Sequence, residues 1–255
     1  MIDTHAHLNI EIFESDIKKV VEHARLKHIQ NIICIGMEKQ SNLKAIELAK
    51  KFSIIYPTVG IHPGYVDDDQ DIKHLEGLIQ TEKVIAVGEC GIDLYWRKDN
   101  FDLQKKIFIR QIELSIKYQL PLVIHMRSSF NEIYEILKPY QGQVKGVFHC
   151  FSSHVEDAKK AIDLGFYIGI DGPVTFKNSE ELKRVVQAID LEYILIETDS
   201  PYLAPHPYRG KRNEPAYLSY IVDAIADLKE VTKDVVITQT TENAKKLFKI
   251  GGQKT

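Results

Sequence analysis

The sequence predicts an α/β chain closed into a TIM-type (β/α)8 barrel with an additional C-terminal helix. Three observations predict it. Eight short apolar runs recur along the 255 residues. Several are apolar at almost every position, as strands buried on both faces are. Each is followed by a stretch of helical spacing, so the repeating unit is about 25–35 residues, the length a parallel crossover needs. No Gly-, Ser- or Pro-rich linker interrupts the series. Residues 1–250 therefore read as one barrel and 251–255 as a loose tail. A doubly wound open sheet is the alternative.

In chain order, the strands are MIDTHAH (1–7), NIICIG (31–36), IIYPTVG (54–60), VIAVGEC (84–90), LVIHM (122–126), KGVFHC (145–150), YIGID (167–171) and ILIETD (194–199). Helical spacing fills 14–28, 40–51, 70–80, 101–118, 129–138, 155–163, 179–188 and 215–229. Asn100 or Asp102 and Ser179 are residue types that start helices, and "NSEE" has the acidic composition of a first turn. A last helix near 240–249 packs back on the barrel.

Composition narrows the function. With 44% hydrophobic and 27% charged residues the chain is ordinary globular material. A net charge of −3 excludes a chain-wide basic field, so an anionic ligand must be held by a local patch or a metal. The three cysteines (34, 90 and 150) form no C-x-x-C pair, which argues for buried thiols in a reducing compartment. No apolar run approaches the ~20 residues that span a bilayer, and nothing at the N-terminus reads as a leader. The expectation is a cytoplasmic protein without a membrane or an obligate protein partner.

The polar residues that interrupt the strands carry the chemistry. His5 and His7 close the first strand, Glu89 the fourth, His125 the fifth, His149 the sixth and Asp199 the eighth. In a barrel these ends open on one face, where the active sites of this fold sit. Any one alone is more simply a hydrogen-bonded histidine, a helix cap or a turn residue. Together they place four imidazoles and two carboxylates among Val, Ile and Leu, where unpaired charges would cost several kcal/mol. A metal supplies the missing partner. Six ligands suit two divalent ions (Zn, Mg or Mn) about 3.5–4 Å apart, bridged by a carboxylate. The expected assignment is His5, His7, Glu89 and Asp199 on one ion, with Glu89, His125 and His149 on the other. A hydroxide between the ions is then the nucleophile, and Asp199 accepts its proton and passes it to the leaving group.

The segments "DTHAHL", "GIHPG", "VGECGID", "LPLVIHMR", "FHCF" and "IETDSPYLAP…RGKRNEP", with "ENAKKLF" near the end, resemble the signature segments of the TatD-family metal-dependent deoxyribonucleases of the amidohydrolase superfamily. The likeness runs in order and spacing from residue 2 to about 215. It implies hydrolysis of DNA phosphodiester bonds with a divalent ion, often from the 3′ end, with RNA as a further substrate. The family's ligands fall on the same six residues.

Substrate contacts are assigned from neighbouring motifs. Arg209, Lys211 and Arg212 follow the eighth strand, where barrels often hold phosphate; a solvated basic loop is the plainer reading. Arg127 is placed to reach the same phosphate, or to form a surface ion pair. Tyr95 and Trp96, just past Glu89, are candidates to stack on an unpaired base or to pack under a loop. His62 is expected at the rim, as a phosphate or leaving-group contact or as a support to the metal ligands. Asp3 and Glu197 are expected to accept hydrogen bonds from the ligand histidines. Cys90 and Cys150 are expected to face the helices and pack. Two rival functions remain. One is an amidohydrolase acting on a small amide or ester, disfavoured because Glu89 stands where many such relatives carry a bridging lysine. The other is a nucleic-acid-binding module with structural metal, disfavoured because the ligands are not a closed cysteine shell.

Overall fold

The computed structural model describes residues 1–66 and 72–251. Eight parallel strands follow one another round a barrel in chain order: β1 Ile2–Ala6, β2 Asn31–Cys34, β3 Ile55–Val59, β4 Ala86–Asp93, β5 Leu122–Arg127, β6 Gly146–Phe148, β7 Phe166–Ile170 and β8 Ile194–Ile196. The first and last strands are joined just beyond β8. Asp199 N–H donates to the His5 carbonyl at 2.9 Å, His7 N–H donates to the Ser200 carbonyl at 2.7 Å, and Ala6 and Ser200 form a parallel bridge. The helices are α1 Ile17–Leu26, α2 Lys39–Lys51, α3 Ile72–Thr81, α4 Phe101–Tyr118, α5 Phe130–Leu137, α6 Val155–Asp163, α7 Glu180–Ala188, α8 Leu218–Lys229 and α9 Lys233–Phe248. Each strand and helix expected from the sequence is present. The expected start of the third helix at 70–71 and most of the loose tail, 252–255, lie outside the described residues. No described helix is long and apolar enough to cross a membrane.

Three differences from expectation have physical causes. The last helix begins at Lys233 rather than near 240, because the Thr232 side chain accepts the Val235 N–H and caps an earlier start. Asn100 and Ser179 do stand at helix N-termini, but neither side chain makes the cap bond. The third difference governs the site. Strand β4 starts two residues late and runs on to Asp93, with a bulge: Val87 pairs with Leu122, yet Cys90 pairs with Ile124. Three residues of β4 thus oppose two of β5, and Gly88 is the extra one. Strict alternation from the interior-facing Ala86 would turn Glu89 outward; the bulge returns it to the interior and Cys90 to the helix side. Gly88 adopts φ +149°, and a Cβ there would meet the Val123 carbonyl oxygen at 2.5 Å, so only glycine fits.

Two cores follow from this alternation. Outward residues such as Ile32, Cys34, Cys90, Ile124 and Phe148 pack against the helices. Inward residues Ile33, Ile35, Ala86, Val123, Val147 and Leu195 meet Ala244, Leu247 and Phe248 of α9 and Ile250, which seal the barrel floor. The next inward position above Val123 is His125, above Val147 is His149, and above Leu195 are Glu197 and Asp199. The apolar floor and the polar mouth are thus successive layers of the same strands.

Candidate metal centre

Glu89, 2% exposed, is the hub. Its Oε2 lies 3.5 Å from His5 Nε2 and 3.7 Å from His7 Nε2. Those two nitrogens are 3.2 Å apart, and Asp199 Oδ1 lies 3.7 Å from His5 Nε2 and 3.3 Å from His7 Nε2. Four ligands at 2.0–2.1 Å round a tetrahedral zinc would be separated by about 3.4 Å. The five measured separations, 3.2–3.7 Å, surround that value. The other oxygen, Glu89 Oε1, lies 3.0 Å from His125 Nδ1, 3.0 Å from His149 Nε2 and 3.5 Å from His62 Nε2. The two oxygens of one carboxylate therefore face two separate groups of imidazoles. His5, His7 and Asp199 form one set able to hold a divalent ion, and His62, Glu89 and His125 another.

Backbone geometry delivers these side chains. Asp199 follows β8 with left-handed backbone (φ 55°) and its N–H on His5. Asp3 does not accept from an imidazole, contrary to expectation. Its oxygens take the N–H groups of Thr198 (2.9 Å) and His5 (3.3 Å) and the Thr198 hydroxyl (2.6 Å), tying β1 to the segment that carries Asp199. Burial pushes the Asp3 carboxyl up to about 7 against those bonds. Glu197 faces His149 Nδ1 at 3.5 Å and accepts the Cys150 N–H at 2.6 Å.

Asp93 escaped the sequence reading. Its Oδ2 lies 3.1 Å from His125 Nε2, leaving Nδ1 to face Glu89, while Oδ1 accepts the N–H groups of Tyr95 (2.9 Å) and Trp96 (2.8 Å). A carboxylate on the outer nitrogen of an imidazole fixes its tautomer, as outer partners of metal-bound histidines do. Burial opposes ionisation of Asp93, but His125 and the two N–H groups hold it at about 2. Two residues per inward step from Glu89 would have found it.

The electrostatics are those of a carboxylate among imidazoles, two of them, His125 and His149, raised above the ordinary histidine value. Burial alone would raise Glu89, yet His149, His62 and His125 hold it well below the usual carboxylate range. Burial likewise opposes charge on His149, but Glu89 and Glu197 raise it well above an ordinary histidine. His62 differs: burial, then the neighbouring His125, lowers it to about 3. Its Nδ1 accepts the Gly64 N–H at 2.9 Å, so in the neutral ring Nε2 carries the proton and points it at Glu89.

A cavity of about 1110 Å³ opens above this group, lined by His7, His62, Glu89, His125, His149 and Asp199 at its base and by Tyr95, Arg127 and residues of the loops after β5 and β6. The Arg127 guanidinium lies 4.6 Å from the Tyr95 ring centre and 5.8 Å from that of Trp96. Both aromatics are exposed, 56% and 69%. Arg209, Lys211 and Arg212, expected to grip phosphate, have other partners in the structure. None of them lines this cavity. Arg212 is bidentate on Asp16 (3.0 and 2.7 Å) and lies over the Phe13 ring, Arg209 lies over Phe176, and Lys211 over Tyr208.

Cys90 packs on the helix side as expected, but Cys150 does not. After β6 ends at Phe148 the chain turns left-handed at Cys150 (φ 45°), breaking the alternation, and the thiol comes to the cavity beside Asp171 and Asp199.

Comparison with known proteins identifies the family. The family model described as TatD related DNase matches residues 2–249. The chain is 41% identical to YabD, a metal-dependent hydrolase of Bacillus subtilis (strain 168), over 98% of this chain and 99% of the relative. It is 33% identical to YcfH, a metal-dependent hydrolase of Escherichia coli (strain K12), over 100% and 97%. The solved structure of YjjV, a TatD homologue from Escherichia coli K12, superposes with a TM-score of 0.93 at 26% identity, covering 98% of both chains.

Proposed function

Because the chain belongs to the TatD-related DNase family of metal-dependent hydrolases, within the amidohydrolase superfamily, we propose that it hydrolyses DNA phosphodiester bonds, removing nucleotides from the 3′ end, with RNA as a second substrate. The observation that carries the reading is the division of Glu89 between two imidazole groups, which a single-ion or structural site would not require. His5, His7, Asp199 and Glu89 Oε2 would hold one divalent ion; Glu89 Oε1, His125 and His149 the other. Bound there, divalent ions supply a water whose pKa falls to about 7 and positive charge beside the scissile phosphate.

The protein's own groups do the rest. Asp199 lines the cavity, and although burial opposes its charge, His7 and His5 hold its carboxyl below the usual range, so it is a carboxylate ready to take the proton of the attacking water. His62, neutral with its proton on Nε2, donates to a phosphoryl or leaving oxygen. Arg127, steadied by Tyr95 and Trp96, meets the adjacent phosphate, and the same two rings offer a stacking face to an unpaired base.

The test is digestion of 3′- and 5′-labelled single- and double-stranded DNA with Mg²⁺, Mn²⁺ or Zn²⁺, beside a panel of lactones and cyclic amides. Wild-type protein is expected to shorten DNA from the 3′ end, and Asp199→Asn to lose about 10²–10⁴-fold in turnover with its circular dichroism unchanged. Undiminished cleavage by the variant removes the proton-accepting role. Turnover of the lactone panel with intact DNA removes the substrate assignment.

A further inference from the structure

Beside the two imidazole groups lies a third cluster with different chemistry. Cys150, Asp171 and Asp199 each offer a ligand atom, all within 4.8 Å of one another. They come from the ends of three successive strands, β6, β7 and β8. Cys150 is turned inward by its left-handed backbone and held there by its N–H on Glu197 Oε1 at 2.6 Å. Gly172, next in the chain to Asp171, packs so closely on Leu203 that a Cβ would meet its carbonyl oxygen at 1.8 Å. Asp171 is 1% exposed, and among the described residues its carboxylate faces only the Cys150 thiol of its own cluster, with no hydrogen bond from outside it. A buried carboxylate left in that state calls for a cation.

We propose that Cys150, Asp171 and Asp199 form a third divalent-cation site, selective for a thiophilic ion such as zinc over magnesium. A thiolate is a soft ligand that zinc accepts and magnesium, which demands oxygen, does not. Three protein ligands leave a coordination position open, and Cys150 lines the cavity, so that position faces the space where substrate would lie. Asp199 joins this site to the His5–His7 group, so a cation in the third site would occupy the carboxylate that otherwise takes the proton of the attacking water. The proposal rests on the two-ion reading through that shared carboxylate alone.

The experiment is titration of the metal-free, full-length protein with Co²⁺, following sulfur-to-cobalt charge-transfer absorption in the near ultraviolet. Elemental analysis of bound metal per chain after Zn²⁺ and after Mg²⁺ loading accompanies it. Wild-type protein is expected to show the sulfur band and to take up one more Zn²⁺ than Mg²⁺. Cys150→Ser is expected to lose the band and the extra equivalent, and Asp171→Asn to lose the extra equivalent. The wild-type spectrum tests the site whether or not either variant folds. Two equivalents of either metal in all three proteins, with no sulfur band, overturns the third site and leaves the two-ion reading standing. No uptake by any of them overturns both.

Discussion

Replacing Glu89 with glutamine keeps its shape and removes one charge from the centre of the molecule. In the metal-free protein, Glu89 Oε1 lies 3.0 Å from His149 Nε2, and His149 is held charged by Glu89 and Glu197 despite its burial. At an effective dielectric of about 20 such a pair is worth about 332/(20 × 3.0), roughly 5–6 kcal/mol. Deleting one partner of a buried pair typically costs about 3–5 kcal/mol, because the other charge stays buried and uncompensated. For a chain of this size each kcal/mol moves the melting temperature by about 2–4 °C. Glu89→Gln should therefore melt roughly 10 °C below wild type when both are stripped of metal. It should also bind less metal, since both imidazole groups lose their shared anion, and turnover should fall with it. Differential scanning calorimetry of the stripped proteins and elemental analysis of the loaded ones read these effects. A stripped variant melting with wild type and loading the same metal would mean that Glu89 neither compensates His149 nor bridges.

The same charges predict a pH dependence. His149, raised above the ordinary 6.5, stabilises the metal-free fold fully below that value and loses the contribution as pH climbs through its folded pKa; Glu89, lowered from 4.5, contributes above that value and loses it as pH falls through its own. Metal-free stability should thus peak between those limits, whereas metal binding should strengthen with rising pH and release protons, measurable by calorimetry in buffers of different ionisation enthalpy. Trp96→Ala removes an exposed ring, so it should leave the melting temperature alone and raise KM for single-stranded oligonucleotides about tenfold, since stacking is worth about 1–3 kcal/mol per base; an unchanged KM would mean the ring meets no substrate. Arg212→Ala breaks the Asp16 pair at the surface, costing about 0–1 kcal/mol with KM unchanged. A raised KM would return that loop to the substrate path.

The barrel was legible because parallel strands buried on both faces leave a periodic record, and the six polar interruptions stood out against Val, Ile and Leu. What escaped the sequence depended on local breaks in that period. Glu89 was read as inward from its company, but strict counting would have turned it outward; the Gly88 bulge, visible only in the pairing of β4 with β5, puts it right. Asp93 was missed because β4 was stopped at residue 90, whereas the strand runs three residues further. Cys150 was assigned to the helix side by an alternation that ends two residues earlier. The partner of Arg212 was hidden for another reason: nothing local shows that Asp16, 196 residues away in the chain, pairs with it.

These departures share a physical direction. The Gly88 bulge, the continuation of β4 to Asp93 and the left-handed turn at Cys150 all lie on the mouth side of the apolar floor. Below the polar layer α9 closes the barrel with Leu247 and Phe248 against Val123, Val147 and Leu195. An apolar floor offers no screening from below, so the charge at Glu89 is balanced chiefly by the side chains around it and by the cation they would hold. That explains why the orienting carboxylates Asp3, Asp93 and Glu197 are each buried with N–H, O–H or imidazole partners. Asp171, equally buried and among the described residues without a partner outside its own cluster, is the exception, and the proposed cation would supply what it lacks.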